Sequence, residues 1–551
     1  MTSPTQLQPR SILFPILALP LICAMLGCPT GPNNDMPPAS IETPPQASDG
    51  GVGETDKANP NAARQNPVTS PPQIQPGADI DGGAKPLVDA ADDELFAGWP
   101  KPKLAMFFTG QQHGYIEPCG CTGLANQKGG LARRHTLMRQ LEDKLAGKGW
   151  NVVAMDVGNQ VGRYGAQAEI KLQVTADGLH AMNYRAVALG PDDLRLRPDT
   201  LIALAAGSPD RPSPFVSANV AILDESLTPR LQILETPAGK IGVTSVLGTE
   251  EQKQVQSEDI LLKLPAAGLG EVWPQLEAAG CDLYVLLAHA SLDESRALAR
   301  QYPGFDLVVT AGGAGEPTYE AEQLQGTDAV MVQVGTKGMY TSVVGWLDDG
   351  SLKYQRVPLD ARFADSQTMR DLMASYQKTL QQRGLAGLEI RPITHPSGNQ
   401  FVGSAKCAEC HDAEYDIWKN SPHAHATESL VHPGERSDIA RHFDPECLSC
   451  HVTGWNPQKF FPYTSGYLDL EKSAHLHGSG CENCHGPGSA HVAAENGDTA
   501  LDDAAIEQLR AAMRLPLERA EQKCMDCHDL DNSPDFHQAG AFQRYWERIA
   551  H

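Results

Sequence analysis

Four segments of the C-terminal quarter share one spacing of cysteine and histidine: Cys407-Ala-Glu-Cys410-His411, Cys447-Leu-Ser-Cys450-His451, Cys481-Glu-Asn-Cys484-His485 and Cys524-Met-Asp-Cys527-His528. Two thiols three positions apart can each add to one vinyl group of the same porphyrin, and the next residue then places an imidazole beneath the iron. One such motif could be a chance match, a zinc half-site or a redox dithiol. Four within 122 residues predict four covalently bound haem c groups, whose proximal iron ligands are His411, His451, His485 and His528.

The region around these motifs, residues 401–551, has weak apolar periodicity but holds 13 of the 18 histidines. We therefore expect haem, rather than side-chain burial alone, to supply much of its core. Two axial imidazoles close an iron for electron transfer, whereas a missing sixth ligand leaves a position for substrate. Nine histidines of this region lie outside the motifs. They are enough to give each of four irons a sixth ligand, but their number does not show which histidine binds which iron.

Longer stretches of this region carry a family resemblance. They are Phe401-Val-Gly-Ser-Ala-Lys-Cys407, Trp418 with Ser421-Pro-His423, Glu446-Cys-Leu-Ser-Cys-His-Val-Thr-Gly454 and Gly480-Cys-Glu-Asn-Cys-His-Gly-Pro-Gly-Ser-Ala-His491. The region resembles the cytochrome c-554 family of multihaem cytochromes. The resemblance implies that His423 and His491 are distal haem ligands, and that the protein carries electrons.

The other distal ligands are chosen on weaker grounds. His425 is the alternative to His423, because it lies only two residues further on. His551 and His537 are candidates through their closeness to Cys524, and His551 is preferred because the aromatic residues before it could wall a haem. His477 is a fourth candidate.

Residues 103–360 show a different pattern, in which short apolar runs alternate with helical stretches. Strands are predicted at 104–108, 152–155, 186–189, 241–246, 283–287, 307–309 and 329–334. Strands separated by helices indicate a layered α/β domain. Residues 361–395 are predicted as a helical linker with a helix over 366–383, and residues 396–551 as a mainly α-helical, loop-rich haem domain.

Several short motifs follow the predicted strands in order. They include Gln111-Gln-His113, Gly158-Asn159, Gly190-Pro-Asp-Asp193, His289 and Ala311-Gly-Gly-Ala314. Their order resembles that of the 5'-nucleotidase type of metallophosphoesterase, which implies a four-layer calcineurin-like sandwich. Most positions at which that family holds two metal ions lack ligand side chains here. We therefore expect hydrolytic activity to be lost, since hydrolysis needs both ions to activate water.

A smaller metal site is an alternative use of the same region. His113, Asp156 and His289 could line a cleft, and Cys119 and Cys121 follow His113 closely. Such donors could bind one zinc or copper ion. The two cysteines could equally be structural.

The N-terminal residues predict export. In residues 1–28, Arg10 precedes an apolar run that ends at Gly27 and Cys28, as in a signal of the lipoprotein type. Lipidation of Cys28 would anchor the chain to a membrane; ordinary cleavage and an uncleaved anchor are the alternatives. Residues 29–100 contain 13 prolines and predict a disordered tether.

The charge balance narrows the possible partners. With 44 basic and 68 acidic side chains, the net charge is −24, which argues against binding to nucleic acid. The sequence thus predicts an electron carrier of the periplasm or cell envelope that works with redox partner proteins, and assigns no catalytic residue. The alternatives are a haem enzyme with one open iron, acting on small nitrogen or sulfur compounds, or a hydrolase with a replacement metal.

Overall fold

The computed structural model describes residues 94–118, 127–143, 149–207, 212–434 and 437–551. The predicted export signal and nearly all of the predicted tether lie outside these ranges. So do Cys119 and Cys121. The described residues belong to one compact unit, Asp79–His551.

Two β-sheets form the centre of the α/β domain. The first has the strand order β13-β12-β1-β2-β3 and the second β10-β11-β9-β8-β6-β5, while β4 and β7 form a separate pair. The bounds are β1 Leu104–Thr109, β2 Val152–Asp156, β3 Tyr184–Val187, β4 Val220–Ile222, β5 Gln232–Thr236, β6 Gly239–Leu247, β7 Ile260–Leu262, β8 Leu283–His289, β9 Leu307–Thr310, β10 Glu322–Gln323, β11 Val330–Gln333, β12 Tyr340–Trp346 and β13 Leu352–Pro358.

Strand β1 shows why these apolar runs become central strands. All six of its residues are buried, and it pairs in parallel with β2 and antiparallel with β12. Because successive side chains of a strand point to opposite faces, Met106 and Phe108 face the second sheet and Phe107 faces the outer helices. Burial on both faces accounts for the continuous apolar sequence.

Helices cover the outer face of each sheet. Their bounds are α1 Leu131–Asp143, α2 Ala166–Ala181, α3 Pro198–Ala206, α4 Thr249–Gln252, α5 Pro265–Ala279, α6 Leu292–Gln301 and α7 Gln367–Gly387. One apolar core lies between the two sheets, and two more lie between a sheet and its helices. This arrangement of helices, sheet, sheet and helices confirms the predicted four-layer α/β sandwich.

Helix α7 belongs to this sandwich, although its sequence was predicted as part of a linker. Met369, Met373, Tyr376 and Leu380 recur every three or four residues and are buried in the core beside the first sheet. Gly384 interrupts the helix with φ of 58°, a conformation that glycine adopts at little cost. The chain then runs on to the haem domain.

The haem domain is built from short helices and one small hairpin. Their bounds are α8 Ser404–Cys407, α9 Asp412–Lys419, α10 Ala426–Val431, α11 Pro445–His451, β14 Trp455–Asn456, β15 Phe461–Pro462, α12 Cys481–His485, α13 Ser489–Glu495, α14 Asp503–Ala512, α15 Leu517–Cys524 and α16 Ala541–Trp546. Its apolar core has eight buried side chains. The domain is therefore mainly helical and loop-rich, as predicted. Among the described residues, no helix is long and apolar enough to cross a membrane.

Ion pairs join the two domains at their interface. Glu446, just before the second motif, pairs with Lys171 at 2.5 Å and with Arg163 at 3.3 Å. Asp531, just after the fourth motif, pairs with Lys337. The α/β domain is thus in contact with chain segments next to the second and fourth motifs.

Candidate haem sites and the cleft of the α/β domain

The backbone of each of the four motifs forms a single helical turn. The second and third lie within α11 and α12, whereas the first and fourth begin at the last residues of α8 and α15. In the first, the amide of His411 donates to the carbonyl of Cys407 at 2.9 Å. In the fourth, the amide of His528 donates to Cys524 at 2.8 Å. This turn brings both thiols and the imidazole of a motif to one side of the backbone.

The described cysteines form no disulfide with one another. Two contacts link separate motifs: the thiols of Cys407 and Cys481 lie beside each other, and so do those of Cys450 and Cys527. The first motif therefore lies beside the third, and the second beside the fourth.

Three motif histidines are oriented through their Nδ1 atoms. His451 donates from Nδ1 to the carbonyl of Ala426 at 2.9 Å, and His485 donates from Nδ1 to Met513 at 2.6 Å. The Nδ1 of His528 lies 3.0 Å from the hydroxyl of Ser533. Such a bond fixes the ring and leaves Nε2 as the atom that can bind a metal.

Three pairs of histidine rings face each other across the domain. The ring centroids are 6.4 Å apart for His411 and His491, 6.1 Å for His423 and His528, and 5.7 Å for His485 and His551. An iron–nitrogen bond of about 2 Å, with about 1.1 Å from nitrogen to ring centre, separates two axial imidazole centroids by roughly 6 Å. These residues fit haem held between two histidines.

The pairing refines the predicted distal ligands. His491 faces the first motif, and His423, from the Trp-x-x-Ser-x-His segment, faces the fourth. His551 was chosen for its closeness to Cys524, but it faces His485 of the third motif, because the C-terminal helix α16 carries the chain past the fourth motif. His528, which faces His423, also packs against Phe536, with ring centroids 5.1 Å apart.

Two other candidates have different contacts. His477 bonds through Nε2 to the carbonyl of Leu470 at 3.0 Å. His537 bonds through Nε2 to the backbone carbonyl of His528 at 2.8 Å. In both rings the atom that would meet an iron is engaged with the backbone. His425 is exposed.

Local packing explains how the Trp-x-x-Ser-x-His segment places His423. The indole of Trp418 donates to the carbonyl of Ser479 at 2.9 Å, and the amide of Ser479 donates to the carbonyl of His423 at 2.9 Å. Gly478 has φ of 80°, and a Cβ there would lie 2.8 Å from the carbonyl oxygen of His423. Glycine is therefore required for the chain to approach this closely.

In the α/β domain, the motif residues meet at the carboxyl ends of parallel strands, as expected for a site in a sheet of this kind. The side-chain amide of Gln111, after β1, donates to the carbonyl of Ala311, after β9. His113 Nδ1 lies 3.6 Å from a carboxylate oxygen of Asp192, and this contact with His113 lowers the pKa of Asp192. His289 donates from Nδ1 to the carbonyl of Val157 at 2.5 Å.

Asp156 is fully buried at the end of β2 and is occupied by internal contacts. Its carboxylate accepts hydrogen bonds from the hydroxyl of Thr109 at 2.5 Å, the amide of Gly158 at 2.8 Å and the side chain of Gln160 at 2.6 Å. Burial raises its pKa. These contacts make it a structural carboxylate within the cleft.

Asp193 has a role that the sequence did not reveal. Its buried carboxylate accepts from the backbone amides of Asn159, Gln160, Val161 and Gly190 at 2.7 to 3.2 Å. Burial raises its pKa to about 7, against the lowering effect of these bonds. Asp193 thus ties the loop after β2 to the turn after β3. An acidic residue in a turn was the available signal, but three of its four partners lie more than 30 residues away.

The predicted replacement metal site is only partly within the described residues. His113, Asp156 and His289 are described, and Cys119 and Cys121 are not. Among the described residues, no group of three histidine, cysteine, aspartate or glutamate side chains is arranged to hold a metal ion. Cys281 is a free thiol whose pKa is raised by burial.

Comparisons with known proteins give a relative for the haem domain. The family described as Cytochrome c554 and c-prime matches residues 406–486. Cytochrome c-554 of Nitrosomonas europaea is 32% identical over 151 residues, which make up 24% of this chain and 60% of that protein. The predicted resemblance to cytochrome c-554 is confirmed. The chain spans less than two thirds of the length of this relative.

Solved structures similar to the chain include nucleotidases. The 5'-nucleotidase precursor from Thermus thermophilus is 19% identical with a TM-score of 0.44, covering 51% of this chain and 59% of that one. The NAD nucleotidase of Haemophilus influenzae is 15% identical with a TM-score of 0.41, covering 55% and 64%. The four-layer fold rests on the sheets and helices described above rather than on this similarity.

Removal of a distal histidine should open one iron. We expect His491→Ala, and His423→Ala combined with His425→Ala, to keep the number of attached haems, because attachment depends on cysteine. Each variant should gain a high-spin signal in electron paramagnetic resonance and bind carbon monoxide after reduction. His432→Ala, on a side chain that is 75% exposed, is the control. Unchanged spectra in both variants would mean that the ligands lie elsewhere.

His289 should make stability depend on pH. Burial lowers its pKa to about 4, from about 6.5 in the unfolded chain. The unfolded chain takes up a proton first, so the free energy of unfolding should fall by up to roughly 3 kcal/mol as pH drops from about 6.5 to about 4. Urea unfolding at several pH values with a chelator present measures this slope. His289→Asn should flatten it, whereas a variant of the exposed His180 should not; equal slopes would contradict the prediction.

Proposed function

We propose that the chain is an exported c-type cytochrome that carries four covalent haems and transfers electrons, with an α/β domain that has lost hydrolytic activity. The observation that carries this proposal is the set of three facing histidine pairs, each of which includes one motif histidine. Two imidazoles per iron favour electron transfer over substrate binding. When bound, haem would supply the redox chemistry, and this chain's residues attach, orient and enclose it.

The contacts between motifs support electron transfer through the domain. The thiol contacts place the first motif beside the third and the second beside the fourth. Groups attached at such neighbouring points lie close together. Electrons would enter from one redox partner protein and leave to another.

The c-type haem motifs and the likeness to cytochrome c-554 support a location outside the cytoplasm. The apolar run before Cys28 supports export, and Gly27-Cys28 supports a lipid anchor in the periplasm or cell envelope. An anchor followed by a proline-rich tether would hold the described unit near a membrane while leaving it room to meet its partners.

The haem number can be measured directly. Expressed with a cytochrome c maturation system, the secreted protein should have a mass that includes four haem increments, because four complete motifs are present. Cys447→Ala together with Cys450→Ala should remove one increment, and Cys281→Ala should remove none. A mass with fewer than four increments in the parent protein would disprove the count. A high-spin signal that shifts with nitrite, hydroxylamine or sulfite would favour the haem enzyme instead.

The loss of hydrolysis is supported by what occupies the cleft. Gln111 bridges to Ala311, and Asp156 is saturated by internal donors. Two-metal hydrolysis needs ligands that are free to hold both ions. The side chains of Gln111 and Asp156 are instead hydrogen-bonded within the chain.

We therefore expect no phosphate release from nucleoside monophosphates, cyclic nucleotides or an activated aryl phosphate with manganese, zinc or cobalt present. The assay should include a known 5'-nucleotidase as a positive control. Robust turnover that His289→Ala abolishes would show that a working metal centre persists, and would contradict the proposed loss.

A further inference from the structure

The helix that carries the second haem motif begins differently from the other three. Helix α11 has a side-chain N-cap, because the carboxylate of Asp444 accepts from the amide of Glu446 at 3.0 Å. The helices of the other motifs, α8, α12 and α15, begin at Gly403, Gly480 and Pro516 without a side-chain cap. An N-cap of this type stabilises a helix by about 1 kcal/mol.

The capping carboxylate is itself held by the α/β domain. Asp444 is 4% exposed. Gln167 on α2 donates to one carboxylate oxygen at 2.7 Å, and Gln377 on α7 donates to the other at 3.1 Å. A buried carboxylate needs such donors, since an unsatisfied buried charge is costly.

The two glutamines are fixed within their own domain. Gln377 is 3% exposed, and Tyr376, beside it on α7, is packed in the apolar core. Gln167 also donates to the hydroxyl of Tyr376 at 2.8 Å. Lys171, one turn further along α2, pairs with Glu446 in the first turn of α11. The start of α11 is thus held by two helices of the other domain.

We propose that Gln167 and Gln377 are positioning residues for the haem of the second motif. Through them, the α/β domain helps to orient this haem. This inference rests on the proposed function, because it requires haem at Cys447, Cys450 and His451. The glutamines act through Asp444 and the orientation of α11, and not by contact with an iron ligand. Groups that orient a ligand in this way tune the metal that it binds.

The test compares two double variants of the full chain. Gln167→Leu with Gln377→Leu removes both donors while nearly preserving side-chain volume. Gln173→Leu with Gln381→Leu changes exposed residues on the same two helices and is the matched control. Haem content by mass, hydrogen exchange of the α11 amides and a redox titration that resolves the haems are measured on both.

We expect four haems in both variants. In the first variant, exchange of the α11 amides should rise by up to about fivefold, as expected for a weakened cap, and one redox transition should shift while the other three stay in place. The control should match the parent protein. If the two glutamines only stabilised the fold, their replacement would lower the free energy of unfolding and would leave all four redox transitions in place.

The redox titration can also contradict the proposal. Four unshifted transitions, or an equal shift of all four, would overturn the proposal. Haem absent from the parent protein would refute the proposed function instead. If the first double variant does not fold, Gln377→Asn keeps the amide but shortens its reach, and should reproduce the selective shift; an unchanged titration in that folded variant would overturn the proposal.

Discussion

The shortage of apolar side chains in the haem domain is the constraint on which the rest of the arrangement depends. An apolar core of eight buried side chains cannot offset the conformational entropy of ordering about 150 residues. The four motifs, spread from Cys407 to His528, would offer another source of order, since each proposed haem would bring its own apolar surface. The same need accounts for the short helices of this domain, which has no long amphipathic helix among its described residues.

The interface with the α/β domain supplies order from a second source. Arg163, Lys171 and Lys337 meet carboxylates beside the second and fourth motifs, and Gln167 and Gln377 hold the cap of α11. A rigid four-layer sandwich can fix these side chains because its helices are anchored in cores of their own. Partly buried pairs of this kind give orientation more than net stability.

Local sequence patterns predicted much of the fold, and distant contacts account for what they missed. All seven predicted strands overlap observed ones, because each is a short apolar run buried on both faces. Strand β12 was missed because Thr341, Ser342 and Gly345 interrupt its pattern, although all seven of its residues are buried. The motif spacing predicts the proximal histidines, but it could not show that His551 faces His485, since 66 positions and four helices separate them.

The cleft of the α/β domain contains several residues whose backbone is strained. Gln111, His113 and Asn159 have φ of 47°, 49° and 60°, a region that side chains other than glycine enter at a cost. Asp193 holds one of these loops through the amides of Asn159, Gln160 and Val161, and Gln111 donates to the carbonyl of Ala311 after β9. These contacts hold the cleft loops in place. Lys337 donates its backbone amide to the carbonyl of Gln111 and pairs through its side chain with Asp531. The cleft loops therefore also help to fix the contact between the α/β domain and the haem domain.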